Sequence, residues 1–545
     1  MEQHVEKSPA RDGQPVAIVI AALWVFATVL NIIKPFHMDD TAHLIIAAHI
    51  VDAPLSPMSG MLNWTNTAEP IFYTNQPHLM FYAFAGLIAM FGPSPLALHL
   101  FISLFTLAAL VLIFRVAHRV APENALWLTA AIGLSPGFVI NQNVMVDMPL
   151  LAMMLLAVWA IIAMPCRPVV AFWALSAALL TKYTSLFMLP VLAAAAAFRG
   201  RALLWLVLPV LLLLGWSLFN IADFGQAHIL NRPTSSERGF MPSELLTIGL
   251  WGALSAFALP LYALLVVASR SVLWAALGPV GAFCWIVVWS YVRPDVQMGW
   301  LIVNAVFIGA ALSVCLAALV GFAQITLSGM RQLARRGFAH WASENHALIT
   351  IALWTAGGVL FLITFAPFMA TRHAMLVIVP IALLAMAGRP AARVANPAIW
   401  GSLAVSAVLS IVLVLNDRSF ANFYATNAET ARDLAAELAG PSGRIKTTGH
   451  WGWQYYAMKA GIPVYDTVRS NIRPSDILIH TPYVDHQSLP DLGEFSEKAA
   501  LTHSSGFATT FDTRLLYAAG ARALPFLAPG PDHRIVFLQR RGEDG

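Results

Sequence analysis

Charge and cysteine are what this sequence has least of. Only 11% of its 545 residues are Asp, Glu, Lys or Arg, against about 25% in an ordinary soluble domain. So little charge on so long a chain excludes a soluble globular protein. The three cysteines, Cys166, Cys284 and Cys315, lie in or beside apolar segments with no CxxC pair. That excludes a disulfide framework and leaves them as small buried hydrophobes. There is no block of like charge and no low-complexity or repeated segment. The net charge of +4 comes from basic residues scattered in short loops, so no nucleic-acid partner is expected.

What the chain has in quantity is apolar residues: 59% are hydrophobic and the mean hydropathy is +0.70. Runs such as 16–33, 96–114 and 300–325 match the roughly 20 apolar residues that a membrane-spanning helix needs. The expected fold is a polytopic all-α membrane protein of about thirteen spans, by that same length rule. No small-residue cleavage site follows 16–33, so it reads as a retained first span with Lys7 and Arg11 on the cytoplasmic side. A long first outer loop, 34–94, follows; its apolar stretch Leu79–Phe91 is too short to span and reads as an interfacial helix. The long run 169–198 divides at Lys182, because a lysine at mid-bilayer is costly and one at the surface is not. A single span is expected over 125–141.

With the N-terminus inside, the inner loops carry Arg115, Arg119, Arg167, Arg199, Arg201, Arg270, Arg331, Arg335, Arg336, Arg389 and Arg393. The outer loops before the tail carry only Lys34, Lys182, Arg232, Arg238, Arg293 and Arg372. This is the positive-inside asymmetry, and an inner membrane of a bacterial cell suits the composition. The chain therefore divides into a membrane domain, 1–415, and a tail, 416–545, in which charge returns and helix and strand patterns alternate. The tail is expected to be a small α/β domain with a largely parallel sheet on the periplasmic or extracellular side.

Chemistry gathers on that outer face. "HMDDTAHLIIAAHI" puts Asp39 and Asp40 side by side at the start of a helix-like stretch, with His37 and His43 near them. Capping is the ordinary use of acidic residues at a helix start. However, Asp39 and His43 are four apart and share a helical face, while Asp40 points elsewhere, so the two carboxylates have different work. One carboxylate can act as a general base while the other holds a substrate hydroxyl. A divalent metal held by His37, Asp39, Asp40 and His43 is the rival, although their spacing matches no dedicated metal motif. Asp147 heads an apolar run, Lys182 interrupts another, and Arg372 and His373 open a third. His228 and Arg232 lie in the outer segment "AHILNRP". Each alone is explained as a snorkelling or capping charge. Cations facing a carboxylate pair, though, are the parts needed to hold a phosphate and deprotonate a hydroxyl.

The order of these segments resembles the GT-C glycosyltransferases, in the branch of the lipid A aminoarabinose transferase and the protein O-mannosyltransferases. The likeness runs over residues 16–415 and rests on "HMDDTAHLIIAAHI", "NQPHLMFYAFAGLIAMFG", "VMVDMPL", "LLTKYTSLFMLP" and "TRHAMLVIVP". The resemblance implies transfer of a sugar from a polyprenyl phosphate to a lipid, glycan or protein acceptor, with inversion and no required cofactor. It implies that Asp39 is the base, that Asp40 stands where the family usually has glutamate, and that Lys182 and Arg372 lie near the donor phosphate. It matches His228 to a histidine in an outer loop. The chain departs from the branch at Asn75 and Gln76, which stand where an acidic–basic pair precedes the proline. Outside this resemblance, a membrane transporter or a structural membrane subunit is the alternative. A transporter would carry mid-membrane charges and repeat symmetry.

Overall fold

The computed structural model describes residues 9–74, 76–197, 199–230, 243–292, 294–489, 491–503, 511–517 and 527–541. The chain opens with α1 (Pro9–Asn31) and then the first loop, which holds α2 (Asp40–Asp52), the hairpin β1 (Met61–Asn63) and β2 (Ala68–Pro70), α3 (Ile71–Thr74) and α4 (Leu79–Phe91). Next come α5 (Pro95–Val120), α6 (Ala125–Gly133), α7 (Pro136–Val139), α8 (Asp147–Ile162), α9 (Pro168–Thr181), α10 (Met188–Ala197) and α11 (Val207–Phe224). The helices α12 (Glu244–Ser269), α13 (Val272–Val292), α14 (Met298–Arg336), α15 (Phe338–Phe365), α16 (Thr371–Met386) and α17 (Pro397–Ala439) complete the helical part. The tail adds β3 (Ile445–Thr447), α18 (Trp451–Lys459), β4 (Ile477–His480), β5 (Phe495–His503), α19 (Arg514–Tyr517) and β6 (His533–Arg540).

Among the described residues, eight helical segments are long and apolar enough to cross a membrane: α1, α5, the segment Gly200–Phe224, α12, α13, α14, α15 and α17. The expected spans near 148–164, 169–181, 183–198 and 374–387 are apolar helices of 10–17 residues. At 1.5 Å per residue such a helix is at most about 25 Å long, short of the ~30 Å hydrocarbon core. They tolerate this because protein surrounds them: every residue of α16 is buried. The helical break does fall at Lys182, whose extended backbone (φ −158°, ψ 127°) separates α9 from the turn leading into α10.

The expectation of one span over 125–141 is corrected. The helix α6 stops at Gly133, α7 lasts four residues, and the chain from Asn141 to Val146 is irregular. Pro136 explains the break: it lacks an N–H and forces Ser135 out of the helical region (φ −71°, ψ 144°). Irregular backbone at this depth needs internal partners. Asn141 donates to the Gly137 carbonyl (2.6 Å) and to Thr371 Oγ1 (3.0 Å), and Asn143 donates to the Tyr517 hydroxyl (2.8 Å).

Helix contacts in the bundle rely on small residues, as in other membrane bundles. A Cβ on Gly309 of α14 would lie 2.2 Å from the Gly278 carbonyl oxygen of α13, and one on Gly321 would lie 2.5 Å from the Leu384 oxygen of α16. The last helix, α17, runs 43 residues from the Asn396 cap, with Pro397 in its first turn, to Gly440 (φ 64°). It is thus about 65 Å long, and its last turns reach well into the tail. The sheet beyond it is ordered β3-β4-β6-β5. Only β3 and β4 are parallel; β6 runs antiparallel to both β4 and β5, so the sheet is mixed rather than largely parallel. The strand β5 is an edge strand with a bulge at Glu497/Ala499, and its polar sequence "FSEKAALTH" hides it from an apolar-run reading. The segment "IPVYD" makes only the single bridge Thr447–Val464.

The two halves of the chain are joined by a buried charge cluster. Lys34, fully buried in the first loop, pairs with the fully buried Asp417 of α17 at 2.9 Å. His37 Nε2 lies 3.1 Å from the other Asp417 oxygen, and the Tyr517 hydroxyl donates to Asp417 at 2.7 Å. Removing one member of such a pair strands the other charge in a dry interior, at a cost of about 3–5 kcal/mol. Asp417→Leu is therefore expected to lower the thermal unfolding midpoint in detergent sharply. Lys34→Met combined with Asp417→Leu should recover part of the loss; a double variant worse than the single would refute the assignment.

Candidate active site

The reversal at Asp39 builds the site. Met38 takes a positive φ of 51° just before α2, and the helical turn that follows points Asp39 and Asp40 in different directions. Asp39 sits at the N-cap position of α2 but makes no capping bond; its carboxylate instead accepts from Arg372 Nη2 at 2.9 Å. Asp40 turns inward, is fully buried, and accepts from the backbone N–H of His37 at 2.9 Å. Burial raises its carboxyl to about 7. Asp40 does not line the cavity described next.

That cavity has a volume of about 450 Å³, inside the usual range of small-molecule sites, roughly 300–1,000 Å³. Asp39, His43, Asp147, Lys182, Arg372 and His373 all line it, although they come from α2, α8, the α9–α10 break and α16. The charges alternate. Lys182 Nζ donates to Asp147 Oδ1 at 2.8 Å, Arg372 Nε lies 3.8 Å from Asp147 Oδ2, and Arg372 Nη2 reaches Asp39. Arg372 Nη1 donates to the Tyr517 carbonyl at 3.2 Å, so its fork is held on three sides. Exposure separates the carboxylates: the Asp39 side chain is 30% exposed and that of Asp147 4%. Asp39 is the carboxylate a solute can reach, and Asp147 is the one that holds two cations in place.

Much of the remaining lining is apolar. Phe361, Leu362, Phe365, Ala366, Pro367 and Phe368, from the end of α15 and the turn after it, line the same cavity, and the Phe368 ring lies 5.3 Å from the Arg372 guanidinium. His43 Nδ1 donates to the Val144 carbonyl at 2.9 Å, which leaves Nε2 as an acceptor. Burial lowers the His43 pKa, so the ring is neutral. His228 stands behind the wall: its Nδ1 lies 3.2 Å from the hydroxyl of Tyr183, which does line the cavity and also accepts from Trp216 at 3.1 Å. Gln76 lines the cavity, while Arg232 and Asn75 lie outside the described residues.

Among the described residues, no three His, Cys, Asp or Glu side chains converge as metal ligands. The four-residue cluster at the start of α2 disperses: His37 goes to Asp417, Asp39 to Arg372, Asp40 to the His37 backbone and His43 to Val144. Sequence reasoning passed over Asp417, Tyr517, Asn141, Asn143 and Trp64. The polar triplet "NQN" beside an apolar run was a usable signal for the two asparagines, since unpaired amides are costly in lipid.

No protein-family model matches the chain, and no curated protein matches it. Solved structures similar to it include ArnT from Cupriavidus metallidurans in the apo state, at 15% identity and a TM-score of 0.43, covering 97% of this chain and 98% of that one. The same protein bound to undecaprenyl phosphate is similar at 14% identity and a TM-score of 0.41. The oligosaccharyltransferase AglB from Archaeoglobus fulgidus, in complex with an inhibitory peptide and a dolichol-phosphate, is similar at 12% identity and a TM-score of 0.44, over 83% of this chain and 64% of that one.

The difference in exposure gives a test of roles by stability alone. Asp39→Asn leaves the buried Arg372 its contact with Asp147 and should be the less destabilising of two variants. Asp147→Ala, which removes the buried carboxylate that contacts both Lys182 and Arg372, should cost about 3–5 kcal/mol. Thermal unfolding of both variants in detergent reads this, and equal losses would contradict the division of labour.

Proposed function

We propose that the protein is an integral-membrane glycosyltransferase that moves a sugar from a polyprenyl phosphate to an acceptor hydroxyl at the outer membrane face. The observation that carries the reading is one cavity lined by a solvent-reached carboxylate, Asp39, by two cations, Lys182 and Arg372, and by a run of apolar side chains. A lipid-borne phosphate needs both surfaces, one for its charge and one for its first isoprene units. The residues also match the order of segments by which the sequence resembles the GT-C transferases. A transporter reading gains nothing from a carboxylate placed at the surface end of the site.

In the proposed reaction the acceptor O–H loses its proton to the Asp39 carboxylate while its oxygen bonds to the anomeric carbon. The bond from that carbon to the phosphate oxygen breaks, and polyprenyl phosphate leaves with the electron pair. Positive charge develops on the sugar ring and negative charge on the phosphate. Lys182 and Arg372 stabilise the latter in a site poor in water, where fixed charges act most strongly. Asp147 positions both cations. His43 and His373 border the sugar as hydrogen-bonding groups. Attack and departure on opposite faces invert the anomeric configuration. The basic residues concentrated in the alternate loops support placing the site and the tail domain on the outer face.

The test is release of polyprenyl phosphate from extracted polyprenyl-phosphate sugars incubated with envelope acceptors. Asp39→Asn should slow release by about 10²–10⁴-fold, the usual worth of a general base. Lys182→Ala should slow it by about 10²–10³-fold, and a chelator should leave the rate unchanged. An Asp39→Asn variant of undiminished rate would sink the proposal.

A further inference from the structure

A second cavity, of about 490 Å³, lies on the far side of the Asp39–Arg372 pair. Asp39, Trp64, Phe368 and Arg372 belong to the walls of both cavities, so the two meet at the carboxylate assigned as base. The remaining wall of the second comes from Met38 and from the tail domain, including Trp451, Tyr483, Asp485 and His486. Three observations say what it is shaped to take.

The first is backbone strain. Among the described residues only three non-glycine residues have positive φ, and Met38 (51°) and Trp451 (55°) both line this cavity. The bulky Trp451 is held in that conformation by packing: Thr41 Oγ1 donates to its carbonyl, and a Cβ on Gly452 would come within 2.4 Å of the Phe36 oxygen. Strain of this kind persists where the surroundings over-determine it and clusters at binding and active sites. The second is the supply of charge. Arg514 also lines the cavity, but its Nε and Nη2 are engaged by Asp512 at 2.8 and 2.7 Å, Nη1 donates to the Tyr483 carbonyl at 3.0 Å, and its guanidinium lies 5.4 Å from the Tyr483 ring centre. It is spent on holding Tyr483, so the cavity offers aromatic faces with a polar pair, Asp485 and His486, both exposed. The third is the lack of a strand: no lining residue belongs to one, so an extended peptide finds no sheet edge to pair with.

We propose that this cavity is the acceptor site and that the acceptor is a carbohydrate. Its ring packs on Trp64, Trp451 and Tyr483, whose faces suit the C–H side of a pyranose. Asp485 and His486 bond to its hydroxyls, which turns one hydroxyl toward Asp39. The tail domain then supplies most of the acceptor wall, and the specificity of transfer with it. The inference rests on the transferase reading of the first cavity. The same sugar surface is presented by a free glycan and by the headgroup of a glycolipid.

Isothermal titration of the full-length protein, in a detergent without a sugar headgroup, tests this. The probes are envelope glycans freed by mild acid, the intact glycolipids in mixed micelles, and envelope peptides. Saturable binding of glycans or glycolipids, weakened tenfold or more by Asp485→Asn and by His486→Ala, is expected; the pool that binds tighter identifies the source. In turnover the same variants should raise the acceptor KM tenfold or more. Binding of peptides only, or carbohydrate binding that neither substitution weakens, would overturn the proposal. Failure of the underlying reading shows separately, as carbohydrate binding by a protein that frees no polyprenyl phosphate from any donor.

Discussion

The ion pair between Lys34 and Asp417 is the constraint from which the site is built. The two residues are separated by 383 positions, and neither side chain is reached by solvent. A lysine and an aspartate cannot be buried apart without a large desolvation penalty, so the first loop and the last helix must meet in one register. Asp417 then collects His37 on one oxygen and Tyr517 on the other. Tyr517 passes the constraint on: its hydroxyl takes the Asn143 amide, and its carbonyl takes Arg372. Through these bonds the loop bearing Asp39, the irregular segment before Asp147 and the helix headed by Arg372 share one anchor.

What the anchor holds is a neutral row of four charges, Asp39, Arg372, Asp147 and Lys182. Neutrality matters, because a surplus charge in a half-apolar cavity would attract water or shift its ionisation. An arriving phosphate upsets the balance by bringing negative charge to cations already paired. Asp147 is buried and bound to both cations, so it stays. Asp39 is partly exposed and bound to one, so it is the carboxylate that yields. In the proposed reaction the row would couple binding of the donor phosphate to release of Asp39 toward the acceptor. Arg372 is the hinge of that exchange, contacting both carboxylates from the first turn of a helix with no solvent-facing residue.

The sequence shows groups that must face one another more readily than it shows what holds them. Asp39, Asp147, Lys182 and Arg372 were legible because each interrupts an apolar context near one face, and their convergence followed from topology. The break at Lys182 was legible for the same reason. Asp417 was not, because "LNDRSF" reads as the start of a polar tail, and nothing local reveals a lysine partner 383 residues away. Asp40 was legible as a different group from Asp39 on helical periodicity, but its burial and its bond to the His37 N–H were not. The span over 125–141 looked continuous because hydropathy counts Ser135 and Pro136 as two residues among seventeen. The backbone counts them as the end of a helix. The parallel sheet was inferred from alternation, which cannot see that β6 returns antiparallel between β4 and β5.

The long helix α17 shows why such a protein keeps its tail on a rigid stem rather than a flexible linker. The helix is continuous from Pro397 to Ala439, and Asp417 lies at its midpoint. One end is fixed in the bundle, the middle is fixed to the first loop, and the other end carries the sheet. A flexible linker would let the tail domain move relative to Asp39 by several ångströms. General-base transfer requires the acceptor oxygen within hydrogen-bond reach, about 2.6–3.2 Å. On the proposed reading, a tail domain that walls the acceptor site must be held as firmly as Asp39. The close approach of Gly452 to Phe36, and the bond from Thr41 to Trp451, do this from the loop side. The stem does it from the membrane side. The strained residues Met38 and Trp451 lie where these two supports meet, which is where a mismatch between loop and domain would have to be absorbed.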